Sequence, residues 1–189
     1  MSLMAKVVLI PSISCPCSLY VPSLRAIHVT ILAMNGKIDF TKNLVKGRIA
    51  ETIFAQMFRH NGRYTVLEFG YEKVVPQLVG QYYNHDNPMI ESLRVAPDFA
   101  VINLDTKEVR LIEVKYRKKL YTNEILDRAD KMHASWNPSY LFIATLDGFY
   151  FDEINKIRLK NGAISPLEEI PDDLQLEYLQ ILKDFENKS

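Results

Sequence analysis

Asp98, Glu113 and Lys115 are the residues whose types and spacing suggest chemistry. Asp98 immediately precedes one apolar run of residues, and Glu113 and Lys115 lie inside the next one. Both runs are apolar at odd and even positions, which is typical of buried strands. Burying a carboxylate or an ammonium group is costly unless it is paired with an opposite charge or binds a cation. These three charges therefore require an explanation.

The two apolar runs predict the strands of a β-hairpin. Pairing Leu104 with Val109 across the turn sets Asp98 opposite Lys115 in antiparallel register. Glu113 lies two residues from Lys115 and shares its face, because side chains alternate along a strand. We therefore expect the three charged side chains to converge at one end of the hairpin.

Two carboxylates in this arrangement suit Mg²⁺ (or Mn²⁺), which prefers oxygen ligands and retains several waters. We predict Asp98 and Glu113 as ligands, with the backbone carbonyl of Val114 as a further oxygen. A cation there would polarise a phosphate and activate water, and Lys115 would balance charge in the transition state. The alternative is an ordinary cross-strand ion pair between Asp98 and Lys115, worth roughly 0.2–1 kcal/mol.

The surrounding sequence predicts the elements that must position these residues. Apolar residues recur with helical spacing in three segments and as short β-type runs between turn residues elsewhere. The resulting order of helix, three strands, helix, two strands and helix predicts an α/β layered fold. The predicted elements are a helix over 44–60, strands Tyr64–Glu72, Phe99–Leu104 and Val109–Tyr116, a helix over 122–136, strands Tyr140–Leu146 and Phe149–Ile154, and a helix after Pro171-Asp172.

The charged segments resemble the motif of a known family. Residues 97–98 (Pro-Asp) and 113–115 (Glu-Val-Lys) resemble the PD-(D/E)XK pattern of the restriction-endonuclease-like nuclease superfamily. Lys46–Glu51 resembles the Gly…Glu helix of its Holliday-junction-resolvase-like members. The resemblance covers residues 43 to 146. It implies an α-β-β-β-α-β core with a mixed central sheet flanked by helices. A hairpin strand and a helix follow this core.

The resemblance also implies a function. It makes Asp98 and Glu113 the metal ligands, Lys115 the catalytic lysine and Glu51 a further site acid, in an enzyme that hydrolyses phosphodiester bonds of DNA. Homodimerisation is a further expectation. Two alternatives remain open: a non-catalytic nucleic-acid-binding or protein-interaction module of the same fold, and an unrelated α/β domain. Glu51 has its own alternative as a solvated helix residue that pairs with Arg48.

Basic residues directly follow the predicted site. Arg117, Lys118 and Lys119 are predicted to hold phosphates of the nucleic acid, although a charge run after a strand is also typical of a solvated loop. The formal net charge of the whole chain is zero. This balance argues against non-specific coating of nucleic acid by a basic surface but allows a local basic patch.

The first 33 residues differ from the rest because they contain no Asp or Glu. We predict that residues 1–33 are a leader or an extended start and that 34–189 form a single domain. The alternative is an edge strand at Lys6–Ile10 or His28–Leu32. No membrane span is predicted, since prolines interrupt the apolar stretch. Cys15 and Cys17 are too few for a zinc site or a disulfide framework, which favours a reducing, cytoplasmic setting.

Overall fold

The computed structural model describes residues 24–70, 92 and 95–188, with side chains described from Thr41 to Asn187 within these ranges. Internal contacts divide the chain into two units, residues 1–40 and 41–189. In the first unit the described residues are helical, so the alternative of an edge strand at His28–Leu32 is wrong. The other predicted edge strand, Lys6–Ile10, lies outside the described residues, as do residues 71–91.

Nine elements are formed by the described residues, and their order confirms the α/β prediction. No helix among them is long and apolar enough to cross a membrane. The elements in chain order are α1 Leu24–His60, β1 Tyr64–Glu68, β2 Phe99–Asn103, β3 Val109–Tyr116, α2 Thr122–Ser135, β4 Tyr140–Ala144, β5 Phe149–Glu153, α3 Ile154–Leu159 and α4 Asp172–Lys188.

The strands form one mixed sheet of five strands in the order β1-β2-β3-β4-β5. Neighbours β1–β2, β2–β3 and β4–β5 are antiparallel, and β3–β4 are parallel. Helix α2 makes the crossover between the two parallel strands, as a parallel connection requires. The predicted helix over 44–60 is the second part of a longer helix, α1, which starts at Leu24.

Two apolar layers cover the two faces of the sheet. On one face α1 and α4 cover a cluster of buried rings, in which Phe54 contacts both Phe99 and Phe142. On the other face α2 and α3 cover Leu141 and Ile143. Alternation along β3 places Ile112 and Val114 in the first layer. It follows that Glu113 and Lys115 lie on the face covered by α2.

The predicted hairpin register is wrong by two residues. Ile102, rather than Leu104, lies opposite Val109. The cause is Asn103, whose side-chain Oδ1 accepts hydrogen bonds from the next two turn amides after Leu104, at 2.9 and 3.1 Å. With this Asx-type turn, the last residues that face each other before the loop are Asn103 and Glu108. The prediction had placed Leu104 and Val109 there. Because the shift is even, each residue keeps its face, but Asp98 now lies level with Glu113 instead of Lys115.

A glycine close to the first residue of α2 provides a test of this packing. Gly162 has φ +86°, and a Cβ added there would lie 2.1 Å from the carbonyl oxygen of Thr122. Gly162→Ala is expected to lower the free energy of unfolding by about 2–3 kcal/mol, through the positive φ and the overpacking. Chemical denaturation measures this. Gly47→Ala is the control, since that helical glycine has open space around it. A loss of stability in Gly47→Ala with none in Gly162→Ala would contradict the close packing of Gly162 against the start of α2.

Candidate active site

A cleft of about 570 Å³ lies where β3 ends and β2 begins. Residues of α1, of α2 and of the segments around the two strands line it. It contains nearly all the residues that the sequence singled out, and Lys119 alone is not among its lining residues. The predicted residues that line the cleft are Glu51, Asp98, Glu113, Val114, Lys115, Arg117 and Lys118.

Asp98 is held in place through its backbone and its side chain. Its carbonyl oxygen accepts hydrogen bonds from the amides of Phe69 and Gly70, at 2.9 and 3.2 Å. Its Oδ2 accepts a hydrogen bond of 2.8 Å from the backbone N–H of Val114. This contact directs the carboxylate toward β3. The two carboxylates of Asp98 and Glu113 are therefore neighbours on one face.

The electrostatics of Asp98 reflect this neighbourhood. Burial, followed by the negative charge of Glu113, raises the pKa of Asp98 from 3.8 to about 7. The Lys115 ammonium and the Val114 amide oppose the rise, and Glu51 adds to it. Like charges close together in a poorly solvated site disfavour ionisation. Asp98 therefore lies in a field that a bound cation would relieve.

Glu113 is the most deeply buried acid of the cleft, with only 1% of its surface exposed. Its Oε1 atom contacts both the Lys115 ammonium and the Arg128 guanidinium. Its Oε2 atom is buried without a hydrogen-bond partner. An unpartnered oxygen on a buried carboxylate costs free energy. One oxygen thus carries two cations, while the other is available for a ligand.

Glu51 reaches the cleft from α1. Its side chain is 17% exposed and forms an ion pair of 2.8 Å with Arg48. Because Glu51 also raises the pKa of Asp98, its charge acts on the floor of the cleft. Gly47, one turn earlier, lines the same wall, and a Cβ there would meet nothing within 4 Å. The pairing with Arg48 and the cleft position therefore occur together.

The basic residues after β3 are divided by the structure. Arg117 and Lys118 line the cleft. Arg117 lies 3.5 Å from Glu124 on α2, and both of these side chains are substantially exposed. Such exposed pairs contribute little to stability. Arg117 and Lys118 are therefore placed to meet an anion that enters the cleft, and Lys119 is not.

Two charged lining residues, Glu124 and Arg128, were missed by the sequence analysis. Both belong to α2, whose buried face carries Ile125, Ala129 and Met132. Glu124 and Arg128 are four residues apart and lie beside this buried stripe, so they share one side of the helix. That spacing was the available signal. The structure adds that this side of α2 faces the end of β3.

The cleft offers oxygen atoms of the type that a divalent cation takes as ligands. Among the described residues, no three His, Cys, Asp or Glu side chains are grouped so as to hold a metal ion. Mg²⁺, however, is commonly held by one or two carboxylates, with waters and substrate phosphates completing its shell. The unpartnered Oε2 of Glu113 and the carboxylate of Asp98 supply such a pair. Val114 remains the predicted source of a carbonyl ligand.

Comparison of the chain with models of known protein families and with curated protein sequences finds no match.

Proposed function

We propose that this protein is a metal-dependent nuclease that hydrolyses phosphodiester bonds of DNA. The observation that carries the proposal is the meeting of Asp98, Glu113 and Lys115 in one cleft, with Glu113 nearly inaccessible to solvent. A buried pair of carboxylates is destabilising unless positive charge compensates it. A bound Mg²⁺ or Mn²⁺ ion opposite a phosphate would supply that charge and would fit both carboxylates and the neighbouring lysine.

The topology supports the same proposal. A helix, three antiparallel strands, a crossover helix and a strand parallel to β3 follow one another in the order expected of a restriction-endonuclease-like core. The strand β5 and the helices α3 and α4 would be additions to such a core. Fold alone does not determine function. The weight therefore rests on the residues at the ends of β2 and β3.

The side chains of the cleft have distinct roles under this proposal. A bound Mg²⁺ supplies Lewis-acid polarisation of the phosphate and of a water. Asp98 and Glu113 would hold the cation, and the Val114 N–H orients Asp98 by its hydrogen bond. Lys115, fixed by its contact with Glu113, would stabilise the negative charge that grows on the phosphate. Glu51 would add negative charge to the site.

A second candidate is a non-catalytic nucleic-acid-binding or protein-interaction module of the same fold. The observation that favours it is the pairing of Glu113 with Lys115 and Arg128. These side chains compensate the charge of Glu113 without any metal ion. A module of this kind would bind DNA through the cations of the cleft and leave it intact. The two candidates differ in divalent-cation binding and in cleavage.

The experiment that separates them uses the purified full chain. Plasmid, linear duplex, single-stranded and branched DNA, with RNA of matching sequence, are incubated with Mg²⁺, Mn²⁺ or Ca²⁺. Cleavage of at least one DNA substrate with Mg²⁺ or Mn²⁺ is expected. Ca²⁺ should support binding better than cutting, because its looser coordination positions water and phosphate less well. No cleavage anywhere, together with no cation binding by calorimetry, would select the non-catalytic module.

Replacing the basic residues after β3 tests the path of the DNA. Arg117→Ala combined with Lys118→Ala is expected to weaken binding roughly tenfold or more near 0.1 M salt. The slope of log K against log[salt] should fall by roughly 0.9 for each lost phosphate contact. Fluorescence anisotropy in Ca²⁺ measures both. Lys119→Ala is the control, because this neighbouring cation does not line the cleft; an equal effect there would contradict the assignment.

A further inference from the structure

Arg128 is a charged residue of the cleft to which the proposed reaction assigns no part. It lies on α2, in the middle of the helix, and its side chain is 22% exposed. Its guanidinium donates to Oε1 of Glu113, the same oxygen that the Lys115 ammonium contacts. Its own Nε is buried without a hydrogen-bond partner. The guanidinium is therefore bound at one end and unsatisfied at the other.

The Glu113 carboxylate is in contact with more positive charge than its own negative charge can balance. Glu113 has one negative charge, and the Lys115 and Arg128 side chains bring two positive charges to it. A divalent cation that bound the same carboxylate would add two more within a few ångströms. At such distances like charges repel one another strongly even at an effective dielectric constant of about 20. The neighbouring carboxylate of Asp98 offsets part of this repulsion, and the departure of one side-chain cation would relieve the rest.

We propose that Arg128 is a displaceable counter-ion of Glu113, which holds the carboxylate in the cation-free protein and gives it up when a divalent cation binds. The inference rests on the cation site of the proposed function. Arg128, rather than Lys115, is the group that leaves, since it comes from a different element, α2. Lys115 is only two residues from Glu113 on the same strand and face. The unsatisfied Nε shows that the present position of the guanidinium does not use all its donors.

Displacement gives Arg128 a second position in the same cleft. A guanidinium presents donors in a planar fork that matches two oxygens of a phosphate. Toward the cation, Arg128 acts only through Glu113 and is therefore a positioning residue; a phosphate contact would follow only after its displacement. Competition for one carboxylate predicts that removing Arg128 has opposite effects in the two states. The cation-free protein loses stability, and the protein gains affinity for the divalent cation.

The test compares Arg128→Gln with the wild type by calorimetry with Mn²⁺ and by thermal unfolding. Without a cation, the variant is expected to have a Tm several degrees lower, because buried Glu113 loses one partner. Its affinity for Mn²⁺ is expected to rise at least about tenfold, because a competing positive charge is gone. The increase in Tm on saturation with Mn²⁺ should therefore be larger in the variant.

Two further variants keep the test decisive. Lys131→Gln removes a positive charge from the same helix, where it pairs with Asp127 and is exposed, and should leave the affinity for Mn²⁺ close to that of the wild type. Arg128→Lys keeps the charge but loses the fork, so its affinity should lie between those of wild type and Arg128→Gln. If Arg128→Gln does not fold, the affinity of Arg128→Lys for Mn²⁺ decides whether Arg128 is a displaceable counter-ion. An affinity above that of the wild type supports this role, and an equal or lower affinity contradicts it.

The outcomes distinguish this inference from the function on which it rests. A wild type that binds Mn²⁺ and cuts DNA, with unchanged or weaker Mn²⁺ binding in Arg128→Gln, overturns the role of Arg128 alone. A wild type that neither binds Mn²⁺ nor cuts DNA overturns the proposed function, and the inference with it. Tighter Mn²⁺ binding in the less stable variant supports the counter-ion role, which a purely structural residue would not produce.

Discussion

Replacing Glu113 with Gln is expected to reduce DNA cleavage by about a thousandfold or more and to abolish the binding of Mg²⁺ or Mn²⁺. The change keeps the size of the side chain and removes its charge. Since Glu113 is only 1% exposed, its negative charge is poorly screened by solvent, and its loss removes much of the attraction for a divalent cation. Single-turnover cleavage and calorimetry measure the two effects.

Lys115→Ala is the informative partner of this variant. It should lose cleavage to a similar extent but retain cation binding, because the ammonium acts on the phosphate and not as a ligand. Glu108→Gln is the control, as Glu108 also belongs to the hairpin and pairs with an arginine, Arg110, but lies outside the cleft. Cleavage that survives in Glu113→Gln would remove the acid pair from the mechanism.

Asp98→Asn is expected to unfold at a higher temperature than the wild type above pH 7 in the absence of divalent cations. The pKa of Asp98 is raised from 3.8 to about 7, first by burial and then by Glu113. Between these two values the folded protein holds a proton that the unfolded chain has lost. Stability is therefore highest below pH 4, falls as the pH rises toward 7, and stays low above it.

The difference between the two proteins should follow the same window. It is expected to reach up to about 4 kcal/mol above pH 7 and to vanish below about pH 4, because Asn resembles the protonated acid. Saturating Mg²⁺ should restore the wild type at pH 8 and leave Asp98→Asn unchanged. Thermal unfolding from pH 4 to 8 measures this, with the exposed Asp127→Asn as control. An Asp98→Asn protein less stable than the wild type at pH 8 would contradict the arrangement.

Local patterns were sufficient for most elements of the fold. Strand β3 was predicted with its observed bounds, and the two strands of the last hairpin were predicted to within two residues at their ends. Both depend on residues adjacent in the chain, whose alternation and turn chemistry act over short distances. Helix α3 was missed because its six residues are too few to show a helical period. Its first residue, Ile154, had been assigned to the preceding strand.

The candidate site was predictable in its members but not in its connections. The alternation of side chains was enough to place Asp98, Glu113 and Lys115 on one face, and an even shift of register leaves that face unchanged. Their pairing was not predictable, since a side-chain contact of Asn103 within the turn decided it. The sequence by itself thus determined which charges share a face, and the turn geometry decided which of them lie level.

Only the tertiary structure decided what surrounds Glu113. Any apolar partner would satisfy the helical spacing of apolar residues in α2, whose buried stripe is Ile125, Ala129 and Met132. This spacing carried no information on where along the sheet the helix would lie. That position follows from the packing of α2 and α3 against Leu141 and Ile143 of strand β4. This packing brings Arg128 to Glu113, because contacts between distant segments depend on the whole folded core and leave no periodic trace in either segment.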